Sequence, residues 1–406
     1  MAFEILALVG RDKGNSDDLL HGQHTARLSQ EDRNLATALV LGVLRWQIAL
    51  DARIQQLLER PGQRLSEDIA IALRLGAFQL LHLDRVPPHA AINESVELTR
   101  ASGNAHAAGM VNAILRRLAS SPARGKPLYE STAAFAERLG HPLWVVERWV
   151  AAYGRPAALK ICEADQIEPG PTTLFAETSA VDLPQIDDGS RLVAELTAVS
   201  MPAARRVWDA CAAPGGKTLV LAHRMHAAEI LATDVSARRL ERMSSRLREY
   251  PYATGVRVEA ADATEPPANF GPFDLILCDV PCSGTGTLAR NPEIRHRFAP
   301  EDLARHAARQ RNILSAALGR LAPGGRLLYS TCSLEPEECE QVVEDVVAKG
   351  KAQVVPIAPV LNRLESMGAL RDPLDGAVRG DFLRTLPGTH PCDGFFAALL
   401  ERQRDS

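Results

Sequence analysis

Two stretches of this chain hold residues able to do covalent chemistry. Residues 277–286 read Leu-Cys-Asp-Val-Pro-Cys-Ser-Gly-Thr-Gly, and residues 329–339 read Tyr-Ser-Thr-Cys-Ser-Leu-Glu-Pro-Glu-Glu-Cys. Each places a cysteine, Cys282 or Cys332, just past an apolar run of the kind that ends a buried strand. A thiolate can add to C6 of a pyrimidine and make C5 electron-rich enough to attack a sulfonium methyl. A base then removes the C5 proton and the cysteine leaves. The reaction needs a thiol, a methyl donor and a group that binds the N3/N4 edge of cytosine. Asp279, Cys282 and Cys332 would supply that set, and spacing alone leaves open which thiol attacks. Asp279-Val280-Pro281-Cys282 also speaks against methylation of an exocyclic amine, because a thiol stands where an orienting aromatic would be expected. Cys278-x3-Cys282 and Cys332-x6-Cys339 lack the short paired spacing of structural zinc sites, so no metal site is expected. Cys278 reads as a core residue, and Cys339 as facing outward or packed within a helix.

A methyl donor needs its own cradle. The run Asp-Ala-Cys-Ala-Ala-Pro-Gly-Gly-Lys-Thr (209–218) reads as a strand, a turn and a helix start. Gly215 and Gly216 let the backbone approach a ligand, and the helix start offers unpaired N–H groups. The run matches neither the dinucleotide fingerprint nor the phosphate loop. Asp234 ends the next strand and can hold the two hydroxyls of a ribose. Asp262 ends the third, where it can accept from an adenine amino group, and Asp279 ends the fourth. This set points to a nucleoside-containing cofactor and prefers S-adenosylmethionine over NAD.

The elements that must position these residues follow from periodicity. From about residue 200, strand, glycine turn and helix alternate, which predicts an open, mostly parallel α/β sheet that binds its ligand beyond the strand ends. Strands are expected at 205–211, 229–236, 256–262, 273–280, 326–333 and 394–402. Helices are expected at 300–321, ended by Pro323-Gly324-Gly325, and at 336–349. Residues 1 to about 120 carry helical spacing throughout, with Ser29 and Asp32 as a capping pair and Pro87-Pro88 as a break. Between them lie a linker-like stretch at 120–131, a helix at 141–154 stopped by Gly154, and a Pro/Gly/Asp-rich stretch at 166–190 with at most one short strand. The expected organisation is a helical domain over 1–122, a linker and short subdomain over 123–190, and a catalytic domain over 191–406.

At 406 residues, with 46% hydrophobic and 24% charged content, the chain can bury more than one core. Its net charge of −4 gives no global support for nucleic-acid binding, so such a role needs a local basic surface. The seven cysteines in a chain with no leader-like start read as reduced thiols in the cytoplasm. No uninterrupted apolar run approaches a membrane-spanning length, and no membrane partner is expected.

With these motifs in order, the chain resembles the bacterial ribosomal RNA cytosine-5 methyltransferases of the RsmB/Sun (Fmu) type, within the RsmB/NOP group. The motifs are Asp209–Thr218, Asp279–Arg295, Tyr329–Glu338 and Asp393–Leu400. Residues 39–46, 73–98 and 107–117 resemble the NusB-like helical domain fused in that subfamily. The resemblance implies an all-α NusB-like domain followed by a class I, Rossmann-like methyltransferase domain, acting as a monomer on RNA, with 16S ribosomal RNA as the substrate. It implies S-adenosylmethionine held by Cys211, Ala212, Ala213, Pro214, Gly215, Gly216 and Lys217 with Asp234, Asp262 and Asp279. It also ranks the thiols: Cys332 as nucleophile, Cys282 as the thiol that assists product release, and Asp279 as the cytosine-binding acid. The segment before the first catalytic strand is shorter than in the family, Ile186 stands where its Gln would be, and Ala289 where a basic residue is frequent. Arg290, Arg295 and Arg297, close to the Pro-Cys loop, are the expected RNA contacts, with Arg305, Arg309 and Arg311 ranked below them. Two other functions fit parts of the pattern: a NusB-like antitermination protein with a vestigial methyltransferase domain, and a transfer RNA methyltransferase.

Overall fold

The computed structural model describes residues 1–403 except 23, 24, 26, 61, 122–129, 171–173, 177–182 and 351. Most of the expected linker at 120–131, and part of the stretch at 166–190, lie outside the described residues. The chain forms two compact units, Met1–Pro169 with Leu288–Arg297, and Gly170–Thr287 with Phe298–Ser406.

The first unit is helical: α1 (Ala2–Gly10), α2 (Ser16–Leu20), α3 (Gln30–Gln55), α4 (Glu67–His82), α5 (Pro88–Ala101), α6 (Ala108–Ala119), α7 (Thr132–Arg138), α8 (Leu143–Tyr153) and α9 (Arg155–Ala164). Ser29 Oγ accepts from the Asp32 N–H at 3.1 Å, forming the expected cap of α3. Pro88 opens α5, where its missing N–H costs nothing. By length and composition α3 is the one described helix apolar enough to cross a membrane, although Arg45 interrupts its apolar stretch. Here its Val40, Val43, Leu44, Leu50 and Ile54 are buried in one core with residues such as Leu73, Phe78 and Leu115. Residues 132–164 form three helices, α7 to α9, within this unit. Gly154, at φ +81°, ends α8 as expected and lets α9 start at once.

The second unit opens with α10 (Asp188–Ser200), unexpected from a Pro/Gly/Asp-rich stretch. Asp187 caps it, accepting from the Ser190 N–H at 2.7 Å. Then come β1 (Arg206–Asp209), α11 (Gly216–Arg224), β2 (Glu229–Asp234), α12 (Ala237–Leu247), β3 (Val256–Ala260) and β4 (Phe273–Asp279). The chain next leaves this unit for Leu288–Arg297, which holds the short helix α13 (Ile294–Arg297). It returns with α14 (Asp302–Leu318), β5 (Leu321–Thr331), α15 (Glu340–Val347), β6 (Ala352–Val355), α16 (Ala358–Ser366), β7 (Val378–Arg379), β8 (Phe382–Arg384) and β9 (Phe396–Arg402). Pro323-Gly324-Gly325 does not follow α14 as a free loop. It forms the irregular start of β5, where the register against β4 shifts between Phe273 and Leu275.

The sheet order is β3-β2-β1-β4-β5-β9-β8-β7, with β6 also on β9. Strands β1–β5 run parallel and β9 runs antiparallel to β5. Successive strand residues enter different cores: Val207, Ile230, Leu275 and Leu328 one, Trp208, Leu231, Ile276 and Leu327 the other. That alternation makes this a sheet covered on both faces. The order reverses at β1, so β2 and β4 flank it and a crevice opens beyond its carboxyl end.

Arg295 sits within the first unit. Its guanidinium is buried and donates to the carbonyls of Arg45 (2.7 Å), Gly140 (3.2 Å) and Asp165 (2.9 Å). Arg297 donates to the carbonyls of Val9 (3.0 Å) and Gly14 (2.6 Å) and to Asn15 Oδ1 (2.7 Å). The expectation of RNA contact at Arg295 is thereby corrected, because a guanidinium enclosed by three carbonyls has no face for phosphate. Arg297 is largely committed in the same way, while Arg290 is exposed.

Candidate active site

The turn after β1 is set by its neighbours. Ala210 N–H donates to Leu277 O of β4 (2.9 Å), and Ala212 N–H to Thr233 O of β2 (2.8 Å). Gly215 adopts φ +94°, and a Cβ there would lie 2.8 Å from Met243 Cγ. Its left-handed turn delivers the chain into α11, whose first N–H groups have no side-chain cap. Asp209, buried at the end of β1, accepts from Thr218 Oγ1 at 2.6 Å. Burial pushes its carboxyl up to about 7, against the pull of that hydrogen bond.

A cleft of about 290 Å³ opens over the strand ends. Its walls include Cys211 and Ala213 of the turn, Asp234 at the end of β2, Asp262 after β3, and Asp279, Cys282 and Cys332. Asp234 is buried, with Oδ1 accepting from the Ser236 N–H (2.9 Å) and Oδ2 3.3 Å from Arg239. Asp262 takes the N–H and hydroxyl of Thr264 at 2.9 and 2.8 Å, and these bonds hold its carboxyl below the usual range. Val235 lines the cleft beside them and is 57% exposed, a large apolar surface left open next to two carboxylates. Acids for hydroxyl and amino groups around an apolar wall suit a nucleoside.

Asp279, at the end of β4, receives Lys217 Nζ on Oδ2 at 2.7 Å and Ser330 Oγ on Oδ1 at 2.8 Å. Lys217 also donates to Ser190 Oγ at 2.9 Å. Burial alone would lower its ammonium, but Asp279 and Asp187 outweigh it and hold Lys217 above its ordinary value. Lys217 is thus drawn onto the acid at the thiol end of the cleft. Each Asp279 oxygen keeps a second lone pair for another donor.

The two thiols converge. Cys282 Sγ lies 3.3 Å from Cys332 Sγ, although 50 residues separate them. The hydrogen bond to Cys282, then burial, then the charge of Asp279 raise the Cys332 thiol well above its ordinary value, and Lys217 opposes them. Cys278 is wholly buried in the sheet as expected. Cys339 is buried too, and does not face outward: its thiol donates to Ser333 O and receives Arg384.

Several residues at the site escape a reading of motifs. Ser330 and Ser190 hold the Asp279–Lys217 pair. Glu338 lies beneath both cysteine loops. Arg309 lines the cleft, whereas Arg305 pairs with Asp302 and Arg311 with Asp345. Helix spacing does place Arg309 and Arg305 on one face of α14, but only the packing says which one meets the cleft.

Comparison with known proteins agrees with this geometry. The family model described as 16S rRNA methyltransferase RsmB/F matches residues 197–401, and the NusB family model matches residues 1–120. Ribosomal RNA small subunit methyltransferase B of Xanthomonas campestris is 33% identical over 445 aligned residues, covering 98% of this chain and 95% of the relative. The probable ribosomal RNA small subunit methyltransferase B of Bacillus subtilis is 28% identical, covering 99% and 98%. The crystal structure of PH0851 shares the fold at 20% identity with a TM-score of 0.72, covering 99% of each chain.

Proposed function

The chain belongs to the 16S rRNA methyltransferase RsmB/F family, and from that premise we propose that it methylates C5 of a cytosine in small-subunit ribosomal RNA in the cytoplasm. S-adenosylmethionine supplies the methyl group as an electrophilic sulfonium carbon. Asp234 and Asp262 would hold its nucleoside, the Cys211–Lys217 turn its amino-acid end, and Asp279 with Lys217 the end nearest the thiols. The NusB-like unit supplies RNA affinity, with exposed Arg290 as one phosphate contact.

The observation that carries this reading is the meeting of two thiols, 3.3 Å apart, with a lysine-held carboxylate at one end of a nucleoside-sized cleft. Asp279 accepts from the exocyclic amine of cytosine and fixes the ring. Cys332 gives up its proton and forms a bond from sulfur to C6, which places the electron pair on C5. That pair takes the methyl group as the donor's sulfur–methyl bond breaks, its electron pair staying on the sulfur of a neutral thioether. A base removes the C5 proton, the C6–sulfur bond breaks, and Cys332 leaves with its electron pair. Cys282 assists that release. A thiol held up by its hydrogen bond to Cys282 and by burial is a weak nucleophile, so the Lys217 charge is the chain's own means of easing Cys332 toward the thiolate.

The test is incubation with labelled S-adenosylmethionine and unmodified 16S ribosomal RNA, with transfer RNA as a second arm, followed by nucleoside mass spectrometry. The expected product is 5-methylcytosine in the ribosomal RNA alone. Cys332→Ala should give none, and Cys282→Ala should accumulate a denaturant-resistant protein–RNA adduct. An adduct in Cys332→Ala instead would reverse the two roles, and methylation at another base atom would end the cytosine-C5 reading.

A further inference from the structure

Beneath the thiols lies a fully buried carboxylate that the chemistry above does not use. Glu338 Oε1 accepts from the Ser283 N–H and from Gln310 Nε2, both at 2.9 Å. Its Oε2 accepts from Ser333 Oγ at 2.6 Å and from Ser283 Oγ. Four donors thus occupy the four lone-pair sites of one carboxylate. Ser283 directly follows Cys282, and Ser333 directly follows Cys332. Gln310 Nε2 donates in addition to Pro281 O, the residue before Cys282, at 3.0 Å. The Tyr329 hydroxyl fixes Glu338 itself, donating to its carbonyl at 2.7 Å.

An apolar side chain could fill this space without the cost of taking a charge from water. A buried carboxylate is tolerable only when its donors are in place, so it penalises any displacement of them. Three of those four donors come from the two loops that carry the thiols, and the fourth, Gln310 of α14, also holds the Cys282 loop through Pro281 O. We propose that Glu338 is a positioning residue that ties the Cys282 and Cys332 loops together and so sets the separation of the two thiols. The inference rests on the reading of Cys332 and Cys282 as the reacting pair. Glu338 acts through hydrogen-bond acceptance, not through its charge. In Glu338→Gln the amide oxygen can still meet the fixed Ser283 and Gln310 N–H donors, while the amide nitrogen donates to the two serine oxygens, whose hydroxyls rotate. In Glu338→Leu the volume remains and every acceptor is lost.

Two measurements on the full chain test this. The first is methyl transfer to 16S ribosomal RNA. Glu338→Leu should lower kcat by about 10²-fold, the size expected for misplacing a reacting group by an ångström, with KM for S-adenosylmethionine nearly unchanged. Glu338→Gln should restore most of the loss. The second uses no RNA and no cofactor: diamide oxidises two adjacent thiols to one disulfide and is itself reduced to the hydrazine. The Cys282–Cys332 cross-link, followed by peptide mass spectrometry, should form at similar rates in the wild type and Glu338→Gln, and about tenfold more slowly in Glu338→Leu. Should Glu338→Leu fail to fold, Ser283→Ala should slow both reactions in the same direction. Wild-type cross-linking in a folded Glu338→Leu or Ser283→Ala protein would overturn the proposal, as would slowed cross-linking with full kcat. Failure of the underlying reading looks different: Cys332→Ala would then stay active whatever happens at Glu338.

Discussion

Replacing Arg295 by Met should destabilise the helical unit and leave the salt dependence of RNA binding unchanged. The Met side chain keeps most of the aliphatic stem but removes the donors to the carbonyls of Arg45, Gly140 and Asp165. Each orphaned buried acceptor costs about 1–3 kcal/mol, so three give roughly 3–9 kcal/mol. Two effects favour the lower half of that range. Relaxation and water entry recover part of the loss, and Asp165 can protonate. Burial already pushes the Asp165 carboxyl up to about 7 against the pull of Arg295, and losing that cation pushes it further. A net cost of about 3–5 kcal/mol matches the usual effect of breaking a buried charged network. For a unit of this size that lowers the midpoint by on the order of 10 °C. Scanning calorimetry of the full chain should show the loss in one transition, since two units need not melt together. The exposed Arg290→Met should bind RNA with a shallower salt slope. An Arg295→Met protein with wild-type melting and a shallower slope would refute this account and return Arg295 to the RNA surface.

Two further outcomes follow from the site. In the proposed mechanism the Cys332 thiolate attacks, and this thiol is held up, so kcat/KM should rise with pH, by about tenfold per unit below its pKa. Lys217→Met removes the charge that lowers this thiol, so the profile should move to higher pH; a flat profile between pH 6.5 and 8 would show that Cys332 deprotonation does not limit the reaction. Gly286→Ala would put a Cβ 2.1 Å from Gly394 O and 2.8 Å from Cys332 O, both backbone atoms that cannot swing aside. It should abolish methyl transfer and lower the melting of the catalytic unit, and a variant with wild-type turnover would show that the two loops are not held as described.

Local chemistry made much of this protein legible in its sequence. Ser29 before an amphipathic run and Pro88 at a helix start act within one helical turn, so their positions can be read directly. The strands β1, β2, β3, β4, β5 and β9 follow from short apolar runs bounded by Gly, Pro and Asp. The acids at their ends follow from the strand boundaries. Helices α9 and α10 were not legible. The first begins straight after the glycine that ends α8, and the second is nucleated by an Asp187 cap inside a stretch whose composition favours coil.

Tertiary structure decided whatever depends on partners far along the chain. Arg290, Arg295 and Arg297 look alike as a basic cluster, yet Arg295 is enclosed by carbonyls from α3, α9 and the α7–α8 turn. Periodicity carries no information about that enclosure. Two thiols 50 residues apart become neighbours only because β4 and β5 pair in parallel and end at the same edge. Glu338 reads as one acid among several in Glu-Pro-Glu-Glu, and burial alone makes it the common acceptor of both loops. Sequence by itself thus determined which residues can react and roughly where each strand ends. The fold determined which of them meet, because hydrogen bonding and desolvation depend on distance in space and not on spacing along the chain.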